Sequence, residues 1–301
     1  MSEMTLGVDL SDAVVRVVVV NDTGHVLSRA DVAHASSNLA AGVREAAKRV
    51  ITGAGGTVSA TAVAMTLAGE DVPSDIASAL ADVARDAPVP QAVGAGTASA
   101  IAEQWCGAAR GLKQVITFAV GEHVIAGTLI NGAPWLGAHG LAGAVGWLAM
   151  NPVEREDYRR FGGLESEIAA AGIVKRLVWR IKSGDNSTVA DHLGGDLSRL
   201  SAADVVQAAR SGDGVSVSVI RDTAKYVGMA VANLATIIDP EAIVLGGMLA
   251  SCGDLMLEPI RVECSRRLQP AQADRVRIVL STLGEDAVAI GAARAASRPR
   301  A

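Results

Sequence analysis

The pair Gly246-Gly247 follows the apolar run Ile243-Val244-Leu245, and Pro240 closes the helical pattern that precedes it. Helix, strand, glycine turn and helix in that order form a crossover unit, and in open α/β sheets ligands bind beyond the carboxyl ends of the strands. A turn without side chains at that place can face a flat nucleotide or a sugar. It can equally serve only to let a helix pack close to a strand. Thiol and metal chemistry find less support. Cys106, Cys252 and Cys264 are widely separated, show no paired spacing, and have none of the five His nearby. They read as buried or free thiols of a reducing compartment and not as a zinc site.

Half of the 301 residues are hydrophobic and only 3% are aromatic, which suits α/β layers packed from Ala, Val, Leu and Ile. That length allows one large or two medium domains with real cores. A net charge of -5 offers no general attraction for nucleic acid, so composition argues against DNA binding by this chain alone. The mixed charges of residues 154–160 read as a solvated charged loop, with a contact site as the alternative. Met1-Ser2-Glu3-Met4 leads almost directly into a strand, without a basic and apolar leader, and no apolar run is long enough to span a bilayer. A cytoplasmic location is expected.

The elements that must position the glycine turn follow from periodicity. Residues 6–20 carry two strands broken at Asp9-Leu10-Ser11-Asp12, a turn follows at 21–24, and a third strand runs over 25–32, a meander opening the sheet. Asn38 is a plausible N-cap for a helix to about Ile51. A strand over 57–67, a helix over 73–85, a strand over 89–93 and a helix over 96–109 complete a first half. The second half repeats the scheme with strands at 114–120, 124–131 and 145–150 and a turn at Asn131-Gly132. Helices are expected at 165–181, 202–209 and 215–237. A strand at 243–245, a helix near 255–268, a strand at 276–281 and a helix at 286–296 close the chain. Two halves with three meandering strands each form a pseudo-repeat of a nucleotide-clamping type, although their sequences show no useful identity.

Four segments together resemble the ROK family of sugar kinases and repressor effector domains. They are Leu6-Gly7-Val8-Asp9-Leu10, the stretch from Asn131-Gly132 to Leu141-Ala142-Gly143, the unit from Asp239 to Gly247, and Leu283-Gly284-Glu285-Asp286-Ala287 with the helix that follows. The resemblance covers nearly the whole chain. It implies an α/β protein of the actin-like ATPase (ribonuclease H-like) fold, with two similar domains around a cleft. The expected division is 1–110 and 111–301, with the terminal helix free to pack back on the first domain. It also implies a homodimer and a small-molecule ligand, a sugar or a nucleotide.

The family's functional residues are largely missing. Its general base is an Asp that takes the proton of a sugar hydroxyl as it attacks the γ-phosphate of ATP. In the matching stretch Gly94-Ala95-Gly96-Thr97 that position is Ala95, so no catalytic residue is assigned. The first phosphate loop is here Asp9-Leu10-Ser11-Asp12-Ala13-Val14, and the second is Gly121-Glu122-His123-Val124-Ile125. Bulky residues replace glycines whose backbone amides would reach phosphate oxygens, and Asp12 and Glu122 add negative charge. Asp9 either holds Mg²⁺ through water or caps a turn. The resemblance leaves Asp9, Gly121, Gly246 and Gly247 as nucleotide-side candidates, with ATP and Mg²⁺ as the conditional cofactors.

The sugar side departs as well. The family's Gly-Glu-Ile-Gly-His is Gly143-Ala144-Val145-Gly146-Trp147, and residues 151–163 replace its Cys-rich zinc segment, so no zinc is expected. Glu165 matches a sugar-contacting Glu, and it also suits the first turn of a helix by charge. Between Leu67 and Pro88 there is space for little beyond a turn and a helix, where sugar-binding members insert a loop over the substrate.

Three readings result. The first is a non-catalytic, pseudokinase-like member with a sensing or protein-contact role. The second is a sugar kinase in which Asp12, Glu103 or Glu122 replaces the base. The third is an effector-type regulator without its own DNA-binding domain, since the first strand begins by Leu6.

Overall fold

The computed structural model describes residues 4–35, 38–66 and 69–297; Met1-Ser2-Glu3 and the expected strand end at Leu67 lie outside the described residues. The chain divides into two compact units. One comprises residues 1–118, 125–143 and 281–301, and the other 119–124 and 144–280. Residues 111–118, 125–143 and the terminal helix thus group with the first unit.

The first unit opens with β1 (Thr5–Asp9), β2 (Val14–Val20) and β3 (Val26–Ala33), the expected meander, followed by α1 (Leu39–Ala54), β4 (Ala60–Met65), α2 (Ser74–Val83), β5 (Gln91–Gly94) and α3 (Ala95–Cys106). The sheet order is β3-β2-β1-β4-β5, with β1 antiparallel to β2 and parallel to β4. Strand alternation sorts the side chains to two faces. Leu6, Val8, Val17 and Val63 pack with Val43, Val50, Ile76 and Leu80 of α1 and α2. The opposite face is built of small residues, with Ala60, Ala62 and Ala64 packed on Ala95 and Ala98 of α3. Asn38 caps α1 as expected, its side chain accepting the Ala41 N–H at 3.2 Å.

The chain continues through β6 (Val115–Val120), β7 (Val124–Ile130) and β8 (Ala133–Pro134), which with two later strands form a second sheet of order β10-β9-β6-β7-β8. Asn131 and Gly132 make the β7-β8 turn, both at positive φ (55° and 77°), as a two-residue hairpin requires. The third meander strand is therefore β8, directly after the turn. The apolar stretch 145–150, expected as a strand, instead contains a 3₁₀ turn at Val145–Trp147. Val145 and Gly146 are buried there while Trp147 is exposed, so the run has no sheet partner to its other face.

The second unit is mostly helical: α4 (Glu156–Phe161), α5 (Glu165–Ile168), α6 (Ala170–Lys182), α7 (Thr188–His192), α8 (Ala202–Arg210) and the long α9 (Gly214–Ile238). The helix expected over 165–181 is split at Ala169, which is extended (ψ 163°) while the Ala170 N–H donates to the Gly121 carbonyl at 3.0 Å. Asp213 caps α9 by accepting the Ser216 N–H at 2.7 Å. At the other end Asp239 adopts the left-handed conformation before Pro240, and the Gln272 amide donates to the Ala235 carbonyl at 2.7 Å and to Asp239 at 3.2 Å. Beyond it come β9 (Ala242–Gly247), α10 (Met248–Ser251), α11 (Gly253–Ser265), α12 (Pro270–Ala273) and β10 (Arg277–Leu280), with β10 parallel to β9. The last helix, α13 (Ala287–Ala296), lies in the first unit, against β1, β4 and α3.

Candidate functional site

In the first unit β1 delivers Asp9 to its carboxyl end. The side chain is 3% exposed and accepts both the N–H and the hydroxyl of Ser11, at 2.8 and 2.6 Å. Asp9 thus caps its own turn. Burial pushes its carboxyl above the ordinary value, against the lowering effect of the two Ser11 bonds. The next turn residue, Asp12, is exposed and accepts the Ala13 N–H at 2.7 Å.

Ala95 is the first residue of α3. It is 0% exposed and sits in the alanine cluster with Ala60, Ala62, Ala64 and Val93. Glu103 cannot stand in for a base at that position. It lies eight residues further along α3, about 12 Å by helix rise. Its fully buried carboxylate accepts the Ala108 N–H at 2.7 Å and the Ser281 hydroxyl.

In the second unit Gly121 opens a tight turn, its N–H donating to the His123 carbonyl at 2.9 Å. Glu122 is exposed on that turn. Gly246 and Gly247 end β9 beside the end of β6. A Cβ on Gly247 would lie 2.4 Å from the Val120 carbonyl oxygen, and its φ is +58°, so close packing alone demands glycine at this point. Glu165, the first residue of α5, turns to the Gly121–His123 loop. It accepts the Val124 N–H at 3.1 Å, and His123 Nδ1 lies 3.0 Å from its other oxygen.

Both turns use amides of their own internally. The amides of Ser11, Ala13 and Gly121 are all taken within their own turns, by Asp9, Asp12 and His123. A phosphate oxygen would have to displace each of those acceptors. Trp147 is 57% exposed, and among the described residues no three His, Cys, Asp or Glu side chains converge as metal ligands.

Sequence reasoning missed a charged cluster in the second unit. Glu167, read only as a helix residue, is 6% exposed and accepts the Tyr158 hydroxyl and Arg155 Nη1, the latter at 3.3 Å. The Glu167 carboxylate and burial together push the Tyr158 phenol above its ordinary value, burial contributing most. Its only sequence signal was a Glu two residues from Glu165 in an otherwise apolar stretch, too weak to separate from an exposed helix position.

The Glu165 contacts give a first prediction. Glu165→Ala leaves the buried Val124 N–H without its acceptor and is expected to destabilise the second unit by about 1–3 kcal/mol. Glu165→Gln, which keeps a side-chain oxygen, should recover most of that loss. Urea unfolding of the three proteins checks it.

Two mixed five-stranded sheets flanked by helices define an α/β protein of two similar domains with the actin-like ATPase fold. The chain belongs to the ROK family, which it matches over residues 5–298. It is 33% identical over 198 residues to a glucokinase of Halalkalibacterium halodurans, a match covering 64% of this chain and 59% of the relative. It is 30% identical over 200 residues to a xylose repressor of Caldicellulosiruptor bescii, covering 64% and 48%. The chain thus spans about half to three fifths of these curated relatives. Among solved structures, a ROK glucokinase from Streptomyces griseus in complex with glucose and AMPPNP superimposes with a TM-score of 0.81 at 23% identity, covering 97% of this chain and 99% of that one. Among the described residues no helix is long and apolar enough to cross a membrane.

Proposed function

We propose that this chain is a ROK protein without phosphoryl-transfer activity, a pseudokinase-like member that keeps the fold to sense a small ligand or to contact another protein. The observation that carries this reading is Ala95, a fully buried methyl group in an alanine cluster, at the residue that the sequence resemblance matches to the family's base. A methyl group cannot take the proton of an attacking hydroxyl. None of the three carboxylates considered as substitutes supports rescue, since Glu103 is buried and bonded elsewhere and Asp12 and Glu122 are exposed turn residues. The turn amides already satisfied at Ser11, Ala13 and Gly121 point the same way. A role as the effector part of a regulator accords with the similarity to a xylose repressor, and a cytoplasmic homodimer is the assembly we propose with it.

A sugar kinase with an altered site is the second reading. The retained Glu165 and Gly246-Gly247 favour it, as does the similarity to a glucokinase. Calorimetry with Mg-ATP and then a panel of hexoses and amino sugars, run beside a coupled assay for ADP release, separates the two. The first reading expects no turnover above the uncatalysed background with any sugar. Micromolar nucleotide binding together with sugar-dependent ADP release overturns it. A gel shift of the purified chain tests DNA binding, and sedimentation tests the dimer.

A further inference from the structure

A cavity of about 790 Å³ opens within the second unit between α4, α5, α6 and α9, well inside the size range of small-molecule sites (~300–1,000 Å³). Its charges pair off with one exception. Arg155 meets Glu167 at 3.3 Å, Lys225 meets Asp222 at 3.1 Å, Lys175 meets Asp157 and Arg180 meets Asp185. Arg176 has no such partner. It is half-buried in the cavity wall, one guanidinium nitrogen donates to the Thr223 hydroxyl, and its Nε is buried without an acceptor. Among the described residues no carboxylate reaches salt-bridge distance of it. Glu167 and Asp222 act on it only from further off, and burial lowers its pKa despite them.

A guanidinium withdrawn from water without a counter-ion is costly, and the cost is removed if the counter-ion arrives with a ligand. Arginine's planar fork suits a carboxylate or a phosphate. The surroundings suit an organic anion more than a bare ion. Trp179, 66% exposed, adds an aromatic side chain to the cavity wall, and with the other lining cations paired the unmatched positive charge is that of Arg176. We infer that this cavity is a binding site for a small organic oxyanion, a phosphate monoester or a carboxylate, with Arg176 as its counter-charge and Trp179 as the platform for its apolar body. The site lies wholly in the second unit and does not depend on whether the protein transfers phosphate.

Three probes of one shape test it on the full chain: phenyl phosphate, benzoate and neutral phenol, titrated by calorimetry and by tryptophan fluorescence. Saturable binding of phenyl phosphate or benzoate, but not of phenol, is expected. Whichever anion binds more tightly assigns the ligand class. Trp179→Phe should remove the fluorescence response while calorimetry still detects binding. Arg176→Gln should weaken the anion at least about tenfold. If that variant does not fold, Arg176→Lys, which keeps the charge but loses the fork, should weaken it several-fold. No saturable signal with either anion at millimolar concentration, equal binding of phenol, or unchanged affinity in the folded Arg176 variant overturns the inference.

Discussion

Gly291→Ala is expected to unfold the first unit or leave it insoluble, a loss of more than about 4 kcal/mol. The direction is opposite to the usual one, because alanine replacing glycine inside a helix ordinarily stabilises it by up to about 1 kcal/mol. Gly291 lies in α13, and a Cβ there would sit 1.7 Å from the Ala98 carbonyl oxygen and 2.3 Å from its carbon. Those are backbone atoms of α3, which no rotamer change can move. The neighbouring contacts are equally close. A Cβ on Gly7 of β1 would lie 1.9 Å from the Ala289 oxygen, and one on Gly96 of α3 would lie 1.9 Å from that of Ala126. The helix α13 is therefore held on both β1 and α3 and cannot back away from one without losing the other. Gly214→Ala is the control: it is also a helical glycine, with nothing within 4 Å of the added methyl, and it should be neutral or slightly stabilising. Urea unfolding followed by circular dichroism, with the soluble yield of each variant, decides the matter. A Gly291→Ala protein as stable as Gly214→Ala would show that the α3-α13 approach is looser than described.

That small-residue seam also explains which parts of the fold were legible in the sequence. The glycines and alanines of α3, β4 and α13 sit at helical and strand spacing, so the elements themselves could be placed to within a few residues. The motif order then identified the fold. What failed was local pattern without a partner. The run Val145-Gly146-Trp147-Leu148 has the apolarity of a buried strand, but Gly146 is spent on close packing against Glu165, whose carboxylate would be 2.7 Å from an added Cβ. The break at Ala169 depends on the bond from Ala170 to Gly121, which joins segments about fifty residues apart and leaves no mark on helical periodicity. The candidate site was legible as a set of absences, since Ala95 and the lost loop glycines are visible in one dimension. The internal bonds that occupy the amides of Ser11, Ala13 and Gly121 were not. Nor was Arg176, which among the described residues meets no carboxylate at salt-bridge distance and turns its guanidinium to Thr223 of α9.

Glu103→Leu is expected to cost about 3 kcal/mol or more, because it removes the acceptor from two inward-facing donors at once, the Ala108 N–H and the Ser281 hydroxyl. Glu103→Gln should fold nearly as well as the parent, its amide oxygen taking the Ala108 N–H and its NH₂ donating to Ser281. The pair differs most usefully in pH dependence. Burial raises the Glu103 pKa above its ordinary 4.5, and the bonds from Ser281 and Ala108 only partly oppose that shift. A carboxyl whose pKa is higher folded than unfolded binds more protons in the folded state between those two values. Its contribution is fully present below 4.5 and is lost as pH rises through the raised folded value. The parent should therefore lose stability relative to Glu103→Gln across that window and hold a constant deficit above it. Asp9 and Asp286, also raised by burial, titrate in both proteins and cancel in the difference. Urea midpoints of the two proteins from about pH 4 to pH 8 measure it, the range that brackets an ordinary and a raised carboxylate. A flat difference would mean that Glu103 has the same proton affinity folded and unfolded. A difference of opposite sign would mean that the two hydrogen bonds outweigh burial and that the carboxylate is held charged at the foot of α3.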